Sequence, residues 1–336
     1  MITIEASHVN WGGSLVLLMY LIKTLDGMGI KAVVYLKYEH IFKEMSSLNL
    51  RNVIVVKTTT FRTICRYMKK RRNALFFCSL PPFVISQNSI VYFHSEYYSQ
   101  KFRWNLKDKS FRENLKSFIY YYWICIGKYK ATFFCQTSLI KNRLWDTYRI
   151  QAVLCPFFEL TPVLSNGVNE KKYDFIYPAL DSYHKNHLVL LNAIRELRTK
   201  RAFSIVLTIP QNNKQLVDII NSINVIYPNT IVNMGILTSE EIRKMYSLSK
   251  ALIFPSTMES LGLPLIEGIH NGLVVLSSDM DYTYNAITNP VVFDPYNQSE
   301  IVKVMEGFLN GKYSGIKQDV KIENAIDYLI KVLTCH

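Results

Sequence analysis

The chain has 336 residues, of which 49% are hydrophobic and 19% charged; that balance excludes a disordered chain and, at this length, predicts two domains of roughly 150 residues each. Lysine and arginine number 39 against 26 acidic residues, and the excess is uneven: residues 1–165 carry 23 basic and 9 acidic side chains, the remainder 16 and 17. The first half is therefore expected either to meet an anionic partner, such as a membrane surface, nucleic acid or charged lipid, or simply to present a soluble basic surface.

At the N-terminus, "MITIEA", "GSLVLLMYLIKTLDGMG" and "KAVVYLK" read as strand, helix and strand. The start lacks a basic n-region and the apolar run "LVLLMYLI" is short, so no signal peptide is expected and the cytoplasm is the expected compartment. Gly12 and Gly13 stand where the first strand feeds the first helix, but they do not complete G-x-G-x-x-G. Further strands are expected at "RNVIVVK", "ALFFCS", "SIVYFHS", "KATFFCQ" and "AVLCPF", with His94 near the end of the third. Between them, "MKKRR" is a basic cluster. "FIYYYWICIG" at 118–127, flanked by Lys116, Lys128 and Lys130, falls short of the roughly 20 residues that cross a bilayer. It fits either a helix lying on a membrane or a buried helix beside a basic surface. The six cysteines, Cys65, Cys78, Cys125, Cys135, Cys155 and Cys335, have neither C-x-x-C nor zinc spacing and read as reduced thiols.

A Pro-, Ser-, Asn- and Gly-bearing linker near 160–172 separates this part from a second alternation of strands and helices. Strands are expected at "YDFIYPA", "FSIVLTI", "TIVNMG", "ALIFPS", "LVVLSS" and "PVVFD", and helices near 187–200, 212–223, 239–249 and 264–271. Two doubly wound α/β domains follow: an N-terminal one at 1–160 and a second at 165–315, with 316–336 able to fold back on the first. Ligands of such domains bind at the carboxyl ends of the strands, where helix N-termini receive phosphate.

"PSTMESLGLPLIEG" places Glu259 and Glu267 eight positions apart. Pro264 suits a helix start, because its fixed φ and missing N–H cost nothing there. Glu259 then belongs to the loop and Glu267 to the first turns of the helix. Leu261, Gly262 and Leu263 between them form a tight connection whose N–H groups offer a diphosphate seat. The spacing alone leaves open that Glu267 merely complements the helix dipole and that Glu259 caps a turn. Lys185, in "YPALDSYHKNHLVLLNAI", precedes a helix, where a cation could stabilise charge on a departing diphosphate. "SSDMDYT" offers Asp279 and Asp281 in a D-x-D pattern of the kind that holds a divalent cation, but beyond the glutamate pair.

"YSLSKALIFPSTMESLGLPLIEGIHNGLVVLSSD" resembles the Glu-x7-Glu region of glycosyltransferase family 4, the retaining GT-B enzymes that use nucleotide sugars. The likeness extends upstream to "IVNMGILTSEEIRKMY" and downstream to "VVFDPYN", about 70 residues strongly and the whole chain loosely. It implies two Rossmann-like domains facing across a cleft, the first binding acceptor and the second the nucleotide sugar. It further implies that Glu267 binds ribose, that Glu259 contacts the donor sugar, and that the amides of Leu261, Gly262 and Leu263 approach sugar or diphosphate. Gly235 then resembles the wall against the base, Gly12 and Gly13 the paired-glycine loop, His94 the histidine that contacts the transferred sugar, and Lys185 the family lysine. Two departures stand out: Leu180 occupies the neighbourhood of the family arginine, leaving His184, His187 or another basic group to substitute, and "DYTYNAI" lacks the family's later glutamate.

The implied activity is sugar transfer from a nucleotide sugar to a saccharide or lipid-linked saccharide in bacterial surface polysaccharide synthesis. No cofactor beyond the nucleotide-sugar co-substrate and no metal are expected, and an anionic membrane is an expected partner. The rivals are a nucleotide-sugar 2-epimerase on the same scaffold and a non-catalytic membrane-associated scaffold. Nucleic-acid binding is disfavoured because no basic-aromatic RNA motif is present.

Overall fold

The computed structural model describes residues 1–10, 13–77, 80–85, 88–104, 110–160 and 170–335, without the side chains of Glu96 and Tyr97. Gly12, Cys78 and most of the expected linker (161–169) lie outside the described residues. The chain forms two compact units: Met1–Glu159 with Glu323–His336, and Leu160–Ile322. The segment 316–322 thus stays with the second unit, and the return to the first begins at Glu323.

Unit 1 alternates β1 (Ile2–Glu5), α1 (Gly13–Gly27), β2 (Ala32–Leu36), α2 (Glu39–Ser46), β3 (Val53–Lys57), α3 (Thr60–Tyr67), β4 (Ala74–Phe76) and β5 (Ile90–Phe93). It continues with α4 (Glu96–Ser99), α5 (Phe111–Gly127), β6 (Thr132–Cys135), α6 (Ser138–Tyr148) and β7 (Val153–Leu154). The seven strands pair in parallel in the order β3-β2-β1-β4-β5-β6-β7. Parallel strands are covered on both faces, and β1, β4 and β5 are buried along their whole length. Helix α1 turns Leu15, Leu18, Leu21, Ile22 and Leu25 inward at helical spacing. Side-chain caps fix the helix starts: the Thr59 hydroxyl accepts from Arg62 N–H, and Ser110 and Glu113 form a reciprocal capping box at α5.

Unit 2 comprises β8 (Tyr173–Tyr177), α7 (His187–Lys200), β9 (Ile205–Leu207), α8 (Lys214–Ile226), β10 (Ile231–Asn233), α9 (Ser239–Leu248), β11 (Ser249–Phe254), α10 (Leu263–His270), β12 (Val274–Ser278), α11 (Asp281–Ala286), β13 (Val291–Phe293) and α12 (Gln298–Leu309). Its six parallel strands follow the order β10-β9-β8-β11-β12-β13. Thr238 and Glu241 form a second capping box at the start of α9. Helix α10 lies close to the sheet: a Cβ on Gly268 would stand 3.0 Å from Leu252 Cδ2 and 3.3 Å from Val275 Cγ2. The last helix, α13 (Ile326–Thr334), belongs to unit 1, where Ala325 N–H donates to Pro156 O at 2.7 Å and Asn324 Nδ2 to Phe158 O at 2.6 Å.

Ile253, fully buried midway along β11, tests this packing. Replacing it with alanine removes buried methyl groups and leaves a cavity, so a loss of about 2–5 kcal/mol is expected in urea unfolding. A loss below about 0.5 kcal/mol, the level of a surface change, would contradict the buried central strand.

Candidate functional site

In each sheet the strand order reverses once, between β1 and β4 in unit 1 and between β8 and β11 in unit 2. At such a reversal the loops leaving the two central strands diverge to opposite faces, and a crevice opens beyond their carboxyl ends. The sequence spends its unusual residues in those loops.

In unit 2, the loop after β8 carries Lys185 in a 3-10 turn, Tyr183–Lys185, and the loop after β11 carries Glu259. Lys185 Nζ donates to Glu259 Oε1 at 2.5 Å, with the two side chains 17% and 14% exposed. The Ser256 hydroxyl donates to the same Oε1 at 2.7 Å. The lysine loop is pinned to its surroundings through the backbone. Tyr177 Oη donates to Lys185 O at 2.6 Å, and Thr257 N–H to His184 O at 2.8 Å. Asn186, left-handed at φ 58°, sends Nδ2 to Pro295 O at 2.7 Å. Lys185 Nζ also lies 5.4 Å from the centre of the Phe254 ring. A cation and a carboxylate are thereby held at the reversal point with little rotamer freedom.

The glutamate loop ends at buried Leu261 and at Gly262, whose φ of 70° makes it the left-handed N-cap of α10. A Cβ there would meet Tyr282 Cδ2 at 3.2 Å and Leu265 Cδ1 at 3.3 Å, so conformation and space both call for glycine. Leu263 opens the helix and Pro264 follows it. No side chain caps α10, Pro264 has no N–H and Leu265 N–H donates to Gly262 O at 2.9 Å. An anion here would therefore meet the N–H groups of the turn leading into the helix and its dipole. Glu267, half-buried in the second turn, accepts a hydrogen bond from Tyr246 Oη at 2.9 Å. Gly235, at φ 69°, sits between β10 and α9.

The remaining expected residues separate clearly. His187 Nε2 donates to Leu180 O at 2.8 Å, so this buried ring braces the backbone and does not stand in for an arginine; the Leu180 side chain itself is 41% exposed. Burial, and secondarily the Lys185 charge, hold His184 below its ordinary range despite the opposing pull of Glu259. Asp279 accepts from Tyr284 Oη at 2.7 Å, and Asp281 is the first residue of α11. Among the described residues, no group of three His, Cys, Asp or Glu side chains could hold a metal ion.

In unit 1, a cavity of about 260 Å³ lies beyond the carboxyl ends of β1, β4 and β5, with His8, Phe77, His94, Tyr98, Lys116 and Tyr120 among its lining. The Tyr120 hydroxyl meets His8 Nδ1 at 3.2 Å, and the two rings cross edge to face at 6.1 Å. Phe77 and His94 rings lie 5.5 Å apart. Gly13 opens α1 but is not among the residues lining this cavity. His8 and Tyr98 were not singled out by sequence, and Lys116 and Tyr120 only as parts of the cation-flanked aromatic run. The signal for His8 was the one that marked His94: a histidine just past a strand that enters the sheet centre.

Residues 164–327 match the family model described as glycosyl transferases group 1. That match spans nearly the whole of the second unit. Over 77 residues, 23% of this chain, the sequence is 31% identical to the serotype-specific mannosyltransferase WbdA of Escherichia coli, and that stretch is only 9% of the relative's length. The fold is similar to WaaG, a glycosyltransferase involved in lipopolysaccharide biosynthesis (TM-score 0.68, 11% identity, 99% of this chain and 100% of that one). It is also similar to Anabaena Alr3699/HepE in complex with UDP and glucose (TM-score 0.66, 12% identity, 93% and 90%). A glycosyltransferase from Rickettsia africae aligns at TM-score 0.67 with 15% identity, over 99% and 92%. At these identities the likeness establishes the fold, which is GT-B. The Lys185–Glu259 pair and the α10 N-terminus both fall within the matched residues, whereas His94 and Gly13 belong to the other unit.

Burial of its ring, with help from the Lys37 and Lys116 charges, pulls the imidazole of His8 down to about 4 although part of the residue stays exposed, and burial pulls His94 down to about 4 against a backbone hydrogen bond with Tyr92. Unfolded, both would titrate near 6.5. Between those values the unfolded chain binds more protons, so stability is complete above about pH 6.5 and falls as the pH drops towards 4. Urea midpoints at about pH 7 and about pH 4.5 should therefore differ, with the lower value in acid. The difference should shrink in the double variant His8→Gln, His94→Gln. An unchanged difference would show that neither ring is held neutral.

Proposed function

We propose that the chain is a retaining glycosyltransferase of the Glu-x7-Glu type, moving a sugar from a nucleotide sugar to a saccharide or lipid-linked saccharide in bacterial surface polysaccharide synthesis. The observation that carries this reading is the Lys185–Glu259 pair at the strand reversal of unit 2, in loops that lead to the uncapped α10. A diphosphate seated on Leu261, Gly262 and Leu263 would meet their N–H groups and the helix dipole. Lys185 stabilises the negative charge that grows on it as the sugar departs. Glu259, oriented by Lys185 and Ser256, receives hydrogen bonds from the sugar, and Glu267, braced by Tyr246, receives them from ribose.

The departing phosphate takes the acceptor's proton on the face that it leaves, which retains the configuration and needs no separate base. No metal enters this scheme. In unit 1, Gly12 and Gly13 keep the role of a ligand-approaching loop and His94 that of a sugar contact. What the relatives do supports the class of reaction: HepE is seen in complex with UDP and glucose, WaaG is involved in lipopolysaccharide biosynthesis, and WbdA is a mannosyltransferase.

A membrane-held acceptor is part of the proposal. Helix α5 exposes Phe111, Leu115, Ile119, Tyr122 and Ile126 at helical spacing, and the basic side chains of Lys101, Arg103 and Arg112 are exposed on or near it. Apolar rings between cations suit the headgroup region of an anionic bilayer. Among the described residues, no helix is long and apolar enough to cross a membrane.

A thermal-shift panel of UDP-, GDP- and ADP-sugars identifies the donor, since a bound ligand raises apparent stability by mass action. With that donor, Lys185→Ala and Glu259→Ala should each lower transfer by about 10²–10³ while the circular dichroism spectrum stays native. Wild-type turnover in either variant would overturn the assignment, and isomerised sugar formed without any acceptor would point to the epimerase. Sedimentation with anionic vesicles should fall with salt and in the triple variant Phe111→Ser, Ile119→Ser, Ile126→Ser. Equal sedimentation with zwitterionic vesicles at any salt would refute the membrane-held acceptor.

A further inference from the structure

The unit 1 cavity has a chemistry more particular than a generic sugar contact. Its walls are aromatic: Tyr98 and Tyr120 pack at 4.7 Å between centroids, Tyr120 crosses His8, and Tyr38 closes another side. Ring faces of this kind receive the apolar C–H faces of a pyranose, while neutral imidazole and the Ser95 hydroxyl are suited to its hydroxyl groups. At about 260 Å³ the cavity, below the roughly 300–1,000 Å³ of drug-sized sites, has room for one sugar residue.

Two ammonium groups stand against these same rings. Lys116, which lines the cavity, places Nζ 5.5 Å from the centre of the Tyr120 ring, and Lys37 places Nζ 5.8 Å from the centre of Tyr38. Among the described side chains that line the cavity there is no carboxylate. An uncharged sugar gains no charge pairing from these exposed cations, whereas a bound anion gains from both.

We infer that the unit 1 cavity is an acceptor site selective for a sugar residue that bears a negative charge, as a carboxylate or a phosphate. This deepens the transferase reading and rests on it. Lys116 and Lys37 supply the selectivity, Tyr98 and Tyr120 the stacking faces, and His8, kept neutral, the hydrogen bond to a hydroxyl.

The test is binding, measured on the full chain without donor, so that it does not depend on turnover. Saturation-transfer NMR titrations would use three probes: a uronic-acid disaccharide, a sugar 1-phosphate and the neutral disaccharide of the same backbone. Expected is tighter binding of one or both anionic probes by about tenfold or more, with that advantage reduced at high salt and lost in the double variant Lys37→Gln, Lys116→Gln. Preference for the uronic acid identifies a charged repeat unit, and preference for the phosphate identifies a sugar phosphate or phospholipid-linked sugar. Equal affinity for all three probes, or a preference that survives in the double variant, would overturn the inference. Tyr120→Phe, which keeps the ring, should weaken all three probes alike and preserve their ranking. The nucleotide-sugar thermal shift reports on the transferase reading separately, so each can fail without the other.

Discussion

The reversal of strand order at the centre of each sheet is the constraint on which the rest depends. A parallel sheet wound from its middle outward sends consecutive crossovers to opposite faces at one position only, and there the backbone cannot fill the space beyond the strand ends. In unit 2 that position is framed by Lys185 and Glu259, 74 residues apart in sequence and 2.5 Å apart in space. In unit 1 it is framed by His8, Phe77 and His94. The candidate side chains collect at these two points because topology leaves room for a ligand nowhere else along the central strands.

Holding a lysine and a glutamate at an enclosed site costs hydration, and their attraction offsets that cost only when the geometry is fixed in advance. Unit 2 fixes it through backbone anchors. Tyr177 and Asn186 hold the lysine turn, Thr257 ties it to the glutamate loop, and Tyr282 Oη donates to Ser256 O at 2.8 Å. The left-handed Gly262 then lets the chain turn directly into α10. Charges arranged before the ligand arrives need no reorganisation when charge develops on a leaving group. Of the groups expected to replace the missing arginine, His184 is held towards neutrality and His187 donates to Leu180 O, so neither supplies a second cation beside Lys185.

The alternation of β-branched runs with helical patterns was enough to read the two parallel α/β arrays, because buried parallel strands are uninterrupted apolar stretches and their crossover helices carry a distinct period. Pro264 marked the start of α10 to within one residue, since its ring leaves few other positions open. The unit 1 helices α2, α3 and α6, short and polar over much of their surface, left weaker traces. The Lys185–Glu259 pair could not be read as a pair from spacing, for nothing local links residues in loops after different strands. The unit 1 cavity was hidden for the same reason: His8, Tyr98 and Tyr120 come from three segments that only the sheet brings together. The D-x-D at Asp279 and Asp281 looked like a metal signature in one dimension, yet Tyr284 engages the first and helix α11 begins on the second.

Helix α5 joins two of these features. Lys116 and Tyr120 face the cavity, while Leu115, Ile119, Tyr122 and Ile126 occupy the neighbouring exposed strip of the same helix. One rigid element therefore presents a cationic sugar pocket on one side and a lipid-compatible stripe on the other. A lipid-linked saccharide has the matching sequence of chemistries, with hydrocarbon, then phosphate, then sugar. Its phosphate would lie between the two faces, at the level of the ammonium groups, and its sugar would enter the pocket without leaving the bilayer surface. If the acceptor is held at a membrane in this way, the effect of the basic excess on its binding should concentrate at Lys116 and Lys37, which stand against the cavity rings, instead of spreading evenly over the 23 basic residues of the first half.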